Sequence, residues 1–185
     1  MPLIAVVFYF SKAPRHIPGP IIKAKLFSIT ILTILLPILL YSLLKTLRKV
    51  DSIYLENVNQ RIIPLILNCI ISVLIIIRVL PSTEFIELYY FFVGVLLSTL
   101  ACLILAILNF KASIHMIASG GVLMFFITLS FFFSKNLSGS IALMCLIVGA
   151  IASSRLHLNA HTKTELVIGL FVGIIPQLIL INYWL

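Results

Sequence analysis

The chain has 185 residues, of which 62 % are hydrophobic and only 10 % charged, with a formal net charge of +8 and a mean hydropathy of +1.26. A soluble domain carries roughly 25 % charged residues, so this composition cannot cover a water-facing surface and excludes a soluble fold. Nor does the positive charge indicate nucleic acid. The Lys and Arg residues lie between apolar runs, where they anchor helices at headgroups and attract anionic lipid.

Apolar runs of about twenty residues recur along the chain, the length that crosses about 30 Å of hydrocarbon as helix. In lipid each backbone group must be paired within its own segment, which makes these runs helices. They are continuous and do not alternate, which excludes barrel strands. The expected fold is all-α: a single integral-membrane domain over residues 1–185, a polytopic bundle of about six transmembrane helices. Within it, residues 1–25 read as an apolar or interfacial segment and residues 26–185 as the six-helix core.

In chain order, Met1 to Phe10 is apolar but too short to span, and it lacks the basic start of a signal peptide. Ser11 to Ile21 contains Pro14, Pro18 and Pro20, so it is expected to be a loop or interfacial turn. Spans are expected from Leu26 to Leu44, kinked by Pro37, and from Ile62 to Leu80 after a polar stretch that includes Arg48, Lys49, Asp51 and Glu56. Further spans run from Ile86 to Leu108, His115 to Phe133, Gly139 to Ala152 and Glu165 to Tyr183. Tyr183 and Trp184 read as an interfacial aromatic belt. Cys69, Cys102 and Cys145 fall inside apolar runs, with neither metal nor disulfide spacing, and read as small hydrophobes.

Counting crossings assigns the loops to faces. The loops before Ile62, before His115 and before Glu165 are separated by two spans each, so all three open on the same side. Together they supply Arg61, Lys111, Ser113, His115, Arg155, His157, His161, Lys163 and Glu165. Guanidinium groups hold phosphate oxygens in a bidentate fork. One imidazole can attack phosphorus, a second can protonate the leaving oxygen, and a carboxylate can orient the first. His161 and Glu165 are four apart at a helix start and face the same way, and that start favours an anion. Singly, each residue has a blander reading: Arg155, His157 and Lys163 as headgroup anchors, His115 as a capping histidine, Glu165 as an acid favoured by the helix dipole. Converging on one face, they favour chemistry.

The residues Ser154-Arg155, five residues, His161, three residues, Glu165 resemble the third signature of the type 2 phosphatidic acid phosphatase superfamily, which has Asp where Glu165 stands. Ala112-Ser113-Ile114-His115 resembles its second signature, Pro-Ser-Gly-His, keeping the serine and the histidine. Arg61-Ile62-Ile63-Pro64 is a weaker match to the first, a Lys, six residues, then Arg-Pro; Tyr54 occupies the lysine position, leaving Lys111 or Lys49 to supply that charge. The resemblance runs from about Arg61 onward and is closest to small bacterial members, implying a bacterial cytoplasmic membrane.

What the resemblance implies is a lipid phosphate or diphosphate phosphatase needing no cofactor or metal. His161 would be the nucleophile, Glu165 would orient it, and His115 would protonate the leaving alkoxide and then activate water. Arg61, Arg155 and Ser113, with Lys111, would hold the phosphate. Substrate and partners would be membrane lipids, with no nucleic acid. Two other readings stand beside it. One is a catalytically silent member of the same fold that binds headgroups or a protein partner. The other is a small transporter, for which Pro37, Asn68, Pro176 and Gln177 are the mid-membrane candidates.

Overall fold

The computed structural model describes residues 1–15, 17–48, 58–82 and 84–184. Lys49 and Tyr54, on which the first-signature expectation turns, lie outside the described residues, as do Asp51 and Glu56. All regular structure in the described residues is helical. A short helix, α1 (Pro2–Lys12), precedes six that are long and apolar enough to cross a membrane: α2 (Gly19–Thr46), α3 (Val58–Val79), α4 (Ile86–Ile107), α5 (Ile114–Phe132), α6 (Ser138–His157) and α7 (Lys163–Tyr183).

Local sequence explains where these helices begin and bend. α2 begins at Gly19, seven residues before the expected start, because Pro20 stands in its first turn, where the missing N–H would have no partner anyway. The expected proline break narrows accordingly to residues 13–18. Pro37 is accommodated by a π-helical turn over Ile31–Leu35 just before it, which shifts the hydrogen-bond ladder that the ring interrupts. α6 runs on to His157, five residues past the expected end, so Arg155 and His157 occupy its last turn and not a loop. Pro176 sits inside a continuous α7, and Gln177 beside it is buried and donates to the carbonyl of Phe91, 3.0 Å away on α4. The helix break expected of a transporter site is absent from this part of α7.

At 11 residues and 1.5 Å per residue, α1 is about 16 Å long, half of a bilayer's hydrocarbon. One side of it packs into the bundle. Ala5, Val6 and Tyr9 are fully buried, and Phe8 stacks on Phe126 of α5 at 3.7 Å. Its C-terminal end is tied to the face opposite the loops singled out above. There the Tyr9 hydroxyl donates to Glu87 Oε2 at 3.0 Å, Arg15 pairs with the fully buried Glu87 carboxylate, and Lys135 donates to the Lys12 carbonyl at 3.0 Å. At that same end Trp184 is 7 % exposed and packs on Phe132, with ring centroids 5.3 Å apart. It belongs to the core and not to an aromatic belt, whereas Tyr183 is exposed and stacks on Tyr90.

The closest helix pair is α5 with α7, and glycines set the distance. A Cβ on Gly120 would lie 2.7 Å from the Leu170 carbonyl oxygen, and one on Gly169 2.9 Å from that of Ser113. Gly173 leaves even less room against Ile117 and Gly121. Only small residues let two backbones approach this closely in a membrane, and the crossing fixes the N-terminal ends of α5 and α7 side by side.

Candidate functional site

Four helix ends meet on one face: the starts of α3, α5 and α7 and the end of α6. The start of α7 is built by a capping box. The Thr162 hydroxyl accepts from the Glu165 amide at 3.3 Å, and Glu165 Oε2 accepts from the Thr162 amide at 3.2 Å. The same carboxylate oxygen lies 2.8 Å from His161 Nδ1. A carboxylate can only accept, so Nδ1 carries the proton and the Nε2 lone pair points away from Glu165. The His161 side chain is 6 % exposed. Burial holds its pKa below the ordinary imidazole value, and the charges of Arg61 and Lys111 push the same way; the hydrogen bond and charge of Glu165 oppose them. That direction favours the neutral ring, the form able to act as a nucleophile.

The start of α5 lies against that of α7. The Ser113 amide donates to the Glu165 carbonyl at 3.3 Å. Ser113 is fully buried, its side chain makes no capping bond, and its Oγ has no hydrogen-bond partner among the described residues. A hydroxyl buried without a partner is costly, so this one stands out in the packing of the two helix starts. Two residues on, Arg155 of α6 donates to His115 Nε2 at 2.9 Å. His115 is also within electrostatic reach of His161 and Arg61.

Two further cations brace the cluster. Arg61, 5 % exposed, donates to the Ala112 carbonyl at 3.1 Å, joining the start of α3 to the residue before Ser113. Lys111 donates to the Ala160 carbonyl at 3.3 Å, joining the α4–α5 loop to the residue before His161. Arg61, Lys111, Ser113, His115, Arg155, His161 and Glu165 thus gather at one place. His157 and Lys163 stay exposed at the end of α6 and the start of α7. Ile114, which stands where the second signature has glycine, turns its side chain into a cavity beside α2 and α3. Sequence reasoning passed over Thr162, although the Thr-x-x-Glu spacing is a capping-box signal.

Arranged this way, the cluster offers a neutral imidazole with a free lone pair, a second imidazole held by a guanidinium, an orphan hydroxyl and three cations. That set suits a phosphoryl group: a nucleophile, a proton donor and charge to hold the oxygens. No family model, no curated protein and no solved structure matches the chain. The helices by themselves define an integral membrane protein.

Proposed function

We propose that the protein is a metal-independent phosphatase of lipid phosphates or diphosphates, working through a phosphohistidine at His161. The observation that carries this reading is the His161–Glu165 contact of 2.8 Å, made on the same helix end that is packed against Ser113.

In this mechanism the phosphate enters among Arg61, Arg155, Lys111 and the Ser113 hydroxyl. Arg155 turns from His115 to the phosphate, which frees His115 Nε2 to hold a proton. The Nε2 lone pair of His161 attacks phosphorus, the bond from phosphorus to the alkoxide oxygen breaks, and protonated His115 gives its proton to that oxygen. The lipid alcohol leaves. Neutral His115 then takes a proton from water as the water oxygen attacks the phosphohistidine. The phosphorus–nitrogen bond breaks, inorganic phosphate departs, and both imidazoles return to their starting states. Glu165 stabilises the positive ring during each transfer, and the cations stabilise charge on the phosphoryl oxygens, which is the task a metal would otherwise perform. The lipid tail stays in the bilayer. On this reading the setting is a bacterial cytoplasmic membrane.

The test is phosphate release from a panel of lipid phosphates by detergent-purified protein, with EDTA present, beside His161→Ala. Release that survives EDTA and vanishes in the variant supports the proposal. No release from any lipid by folded protein that still binds phosphatidic acid vesicles would replace it with the silent headgroup binder.

A further inference from the structure

The contact between Arg155 and His115 excludes the one state of His115 that can give up a proton from Nε2. A guanidinium has N–H donors and no acceptor. Nε2 of His115, 2.9 Å from Arg155 Nη2, therefore enters the contact as a bare lone pair. The ring proton sits on Nδ1, and Nε2 cannot hold another while Arg155 stays. Adding one would set N–H against N–H and imidazolium against guanidinium at that distance.

Arg155, half-buried in the last turn of α6, pairs with no carboxylate among the described residues. Glu165, the carboxylate of the cluster, is taken up by His161 Nδ1 and the Thr162 amide. The charged and titratable groups acting on His115 are Arg155, Arg61 at the start of α3, His161 before α7 and the Met1 amino group. Lys111 and Glu165 stand one step further off and act on His161. The charged side chains of α1 and α4, Lys12 and Glu87, lie at the opposite face. His115 thus has cations about it and its lone pair covered by one of them. A tetrahedral dianion changes both partners at once. It offers the guanidinium a pair of oxygens, a stronger partner than a neutral ring nitrogen, and it favours positive charge on the ring left behind.

We propose that the Arg155–His115 contact is an autoinhibitory switch that couples anion binding to proton uptake. In the empty site His115 lacks the Nε2 proton. When a tetrahedral dianion is seated, Arg155 passes to the anion and one proton from solvent binds His115 Nε2. The inference deepens the phosphatase reading and rests on it for the place of the phosphate. Anion and proton each bind more tightly when the other is present, and by the same factor. The general acid is therefore loaded only when a phosphate is in place. Inorganic phosphate, the product, leaves by the reverse exchange: His115 loses its proton, Arg155 returns to Nε2, and the anion is released. Product inhibition is strongest at low pH and fades as pH rises.

The test uses inorganic sulfate, which has the shape of phosphate, is not turned over and keeps its charge around neutral pH. Titration calorimetry of the full chain in detergent, in buffers of different ionisation enthalpy, counts protons taken up per sulfate. About one is expected, with the affinity falling about 5- to 150-fold in all as pH rises, the usual range for coupled sites. Nitrogen-15 NMR of histidine-labelled protein should show the Nδ1–H tautomer of His115 without sulfate and the imidazolium with it. Sulfate also lies near His161, so variants separate the two rings: His161→Gln should keep the uptake and His115→Gln should lose it. The wild-type proton count and ring state decide the outcome even where a variant fails to fold. Sulfate bound without a proton, uptake that survives in His115→Gln, or a charged His115 in the empty wild type at neutral pH would overturn the switch. Each of these leaves the hydrolase reading standing. No binding of sulfate would remove the phosphate site and the switch together. Proton-linked binding by a protein that hydrolyses no lipid phosphate would remove the hydrolase reading alone.

Discussion

His161 Nδ1 and Glu165 Oε2 lie 2.8 Å apart, one helical turn from each other at the mouth of α7. The same Oε2 accepts the Thr162 amide of the capping box. One carboxylate oxygen therefore starts the helix and fixes the imidazole, so the orientation of the ring is built into the fold of the segment.

The two duties can be separated. Glu165→Gln keeps an oxygen for the capping box, since glutamine serves at that position as well as glutamate, but it cannot stabilise a positive ring. Phosphate release should fall by about 10²-fold or more while the melting temperature stays near that of the wild type. Wild-type rates in Glu165→Gln would mean that the carboxylate serves the helix alone.

The pH profile follows from the environment of His161. In the proposed mechanism its nucleophilic form is the neutral one, and burial, Arg61 and Lys111 hold its pKa below the ordinary 6.5. Activity should therefore persist on the acid side of that value, with the acid limb of kcat/KM falling only below it. Lys111→Met removes one of the charges pressing the pKa down, so the limb should move to higher pH. A limb that stays put or moves down in Lys111→Met would show that this charge does not act on the nucleophile.

Much of this was legible in the sequence, for physical reasons that also mark where legibility ends. The six spans are twenty-residue apolar runs, which hydrocarbon thickness makes unmistakable, and counting crossings brought the starts of α3, α5 and α7 to one face. The start of α2 was misplaced because Pro18 and Pro20 read as breakers, although a proline in a first turn opens a helix. The end of α6 was misplaced because Ser153, Ser154 and Arg155 are polar, although polarity ends a membrane span without ending a helix. α1 read as interfacial by length; its packing into the bundle, where Tyr9 meets Glu87 78 residues on in sequence, is a pairing that no local pattern announces. The orphan hydroxyl of Ser113 is a property of packing and has no sequence signal.

The glycine crossing gives a third expectation. Gly120→Val should drive α5 away from α7, costing about 1–3 kcal/mol as overpacking does, and should lower activity further by parting Ser113 and His115 from His161 and Glu165. Gly149→Val is the control: a Cβ at Gly149 meets nothing within 4 Å, so its stability should change little. Thermal unfolding followed by circular dichroism reads both. Equal losses in the two variants would contradict the assigned role of the crossing.

At the opposite face, Arg15→Met leaves the fully buried Glu87 carboxylate with the Tyr9 hydroxyl but without its cation. Breaking a buried pair typically costs about 3–5 kcal/mol, and less is expected here because the Arg15 side chain is 43 % exposed. The melting temperature should fall, and adding Glu87→Gln should restore most of the loss. If the double variant melts no higher than Arg15→Met, the pair is not what secures α1.

The central claim is a covalent phosphate on His161, and rapid quenching tests it most directly. Wild-type protein mixed with lipid labelled with ³²P in its phosphate is quenched in alkali within one turnover and digested. A phosphohistidine is stable in alkali and lost in acid, so label with that behaviour should map to the peptide containing His161 and be absent from His161→Ala. Label on another residue, or phosphate release with no trapped label in the wild type, would contradict it.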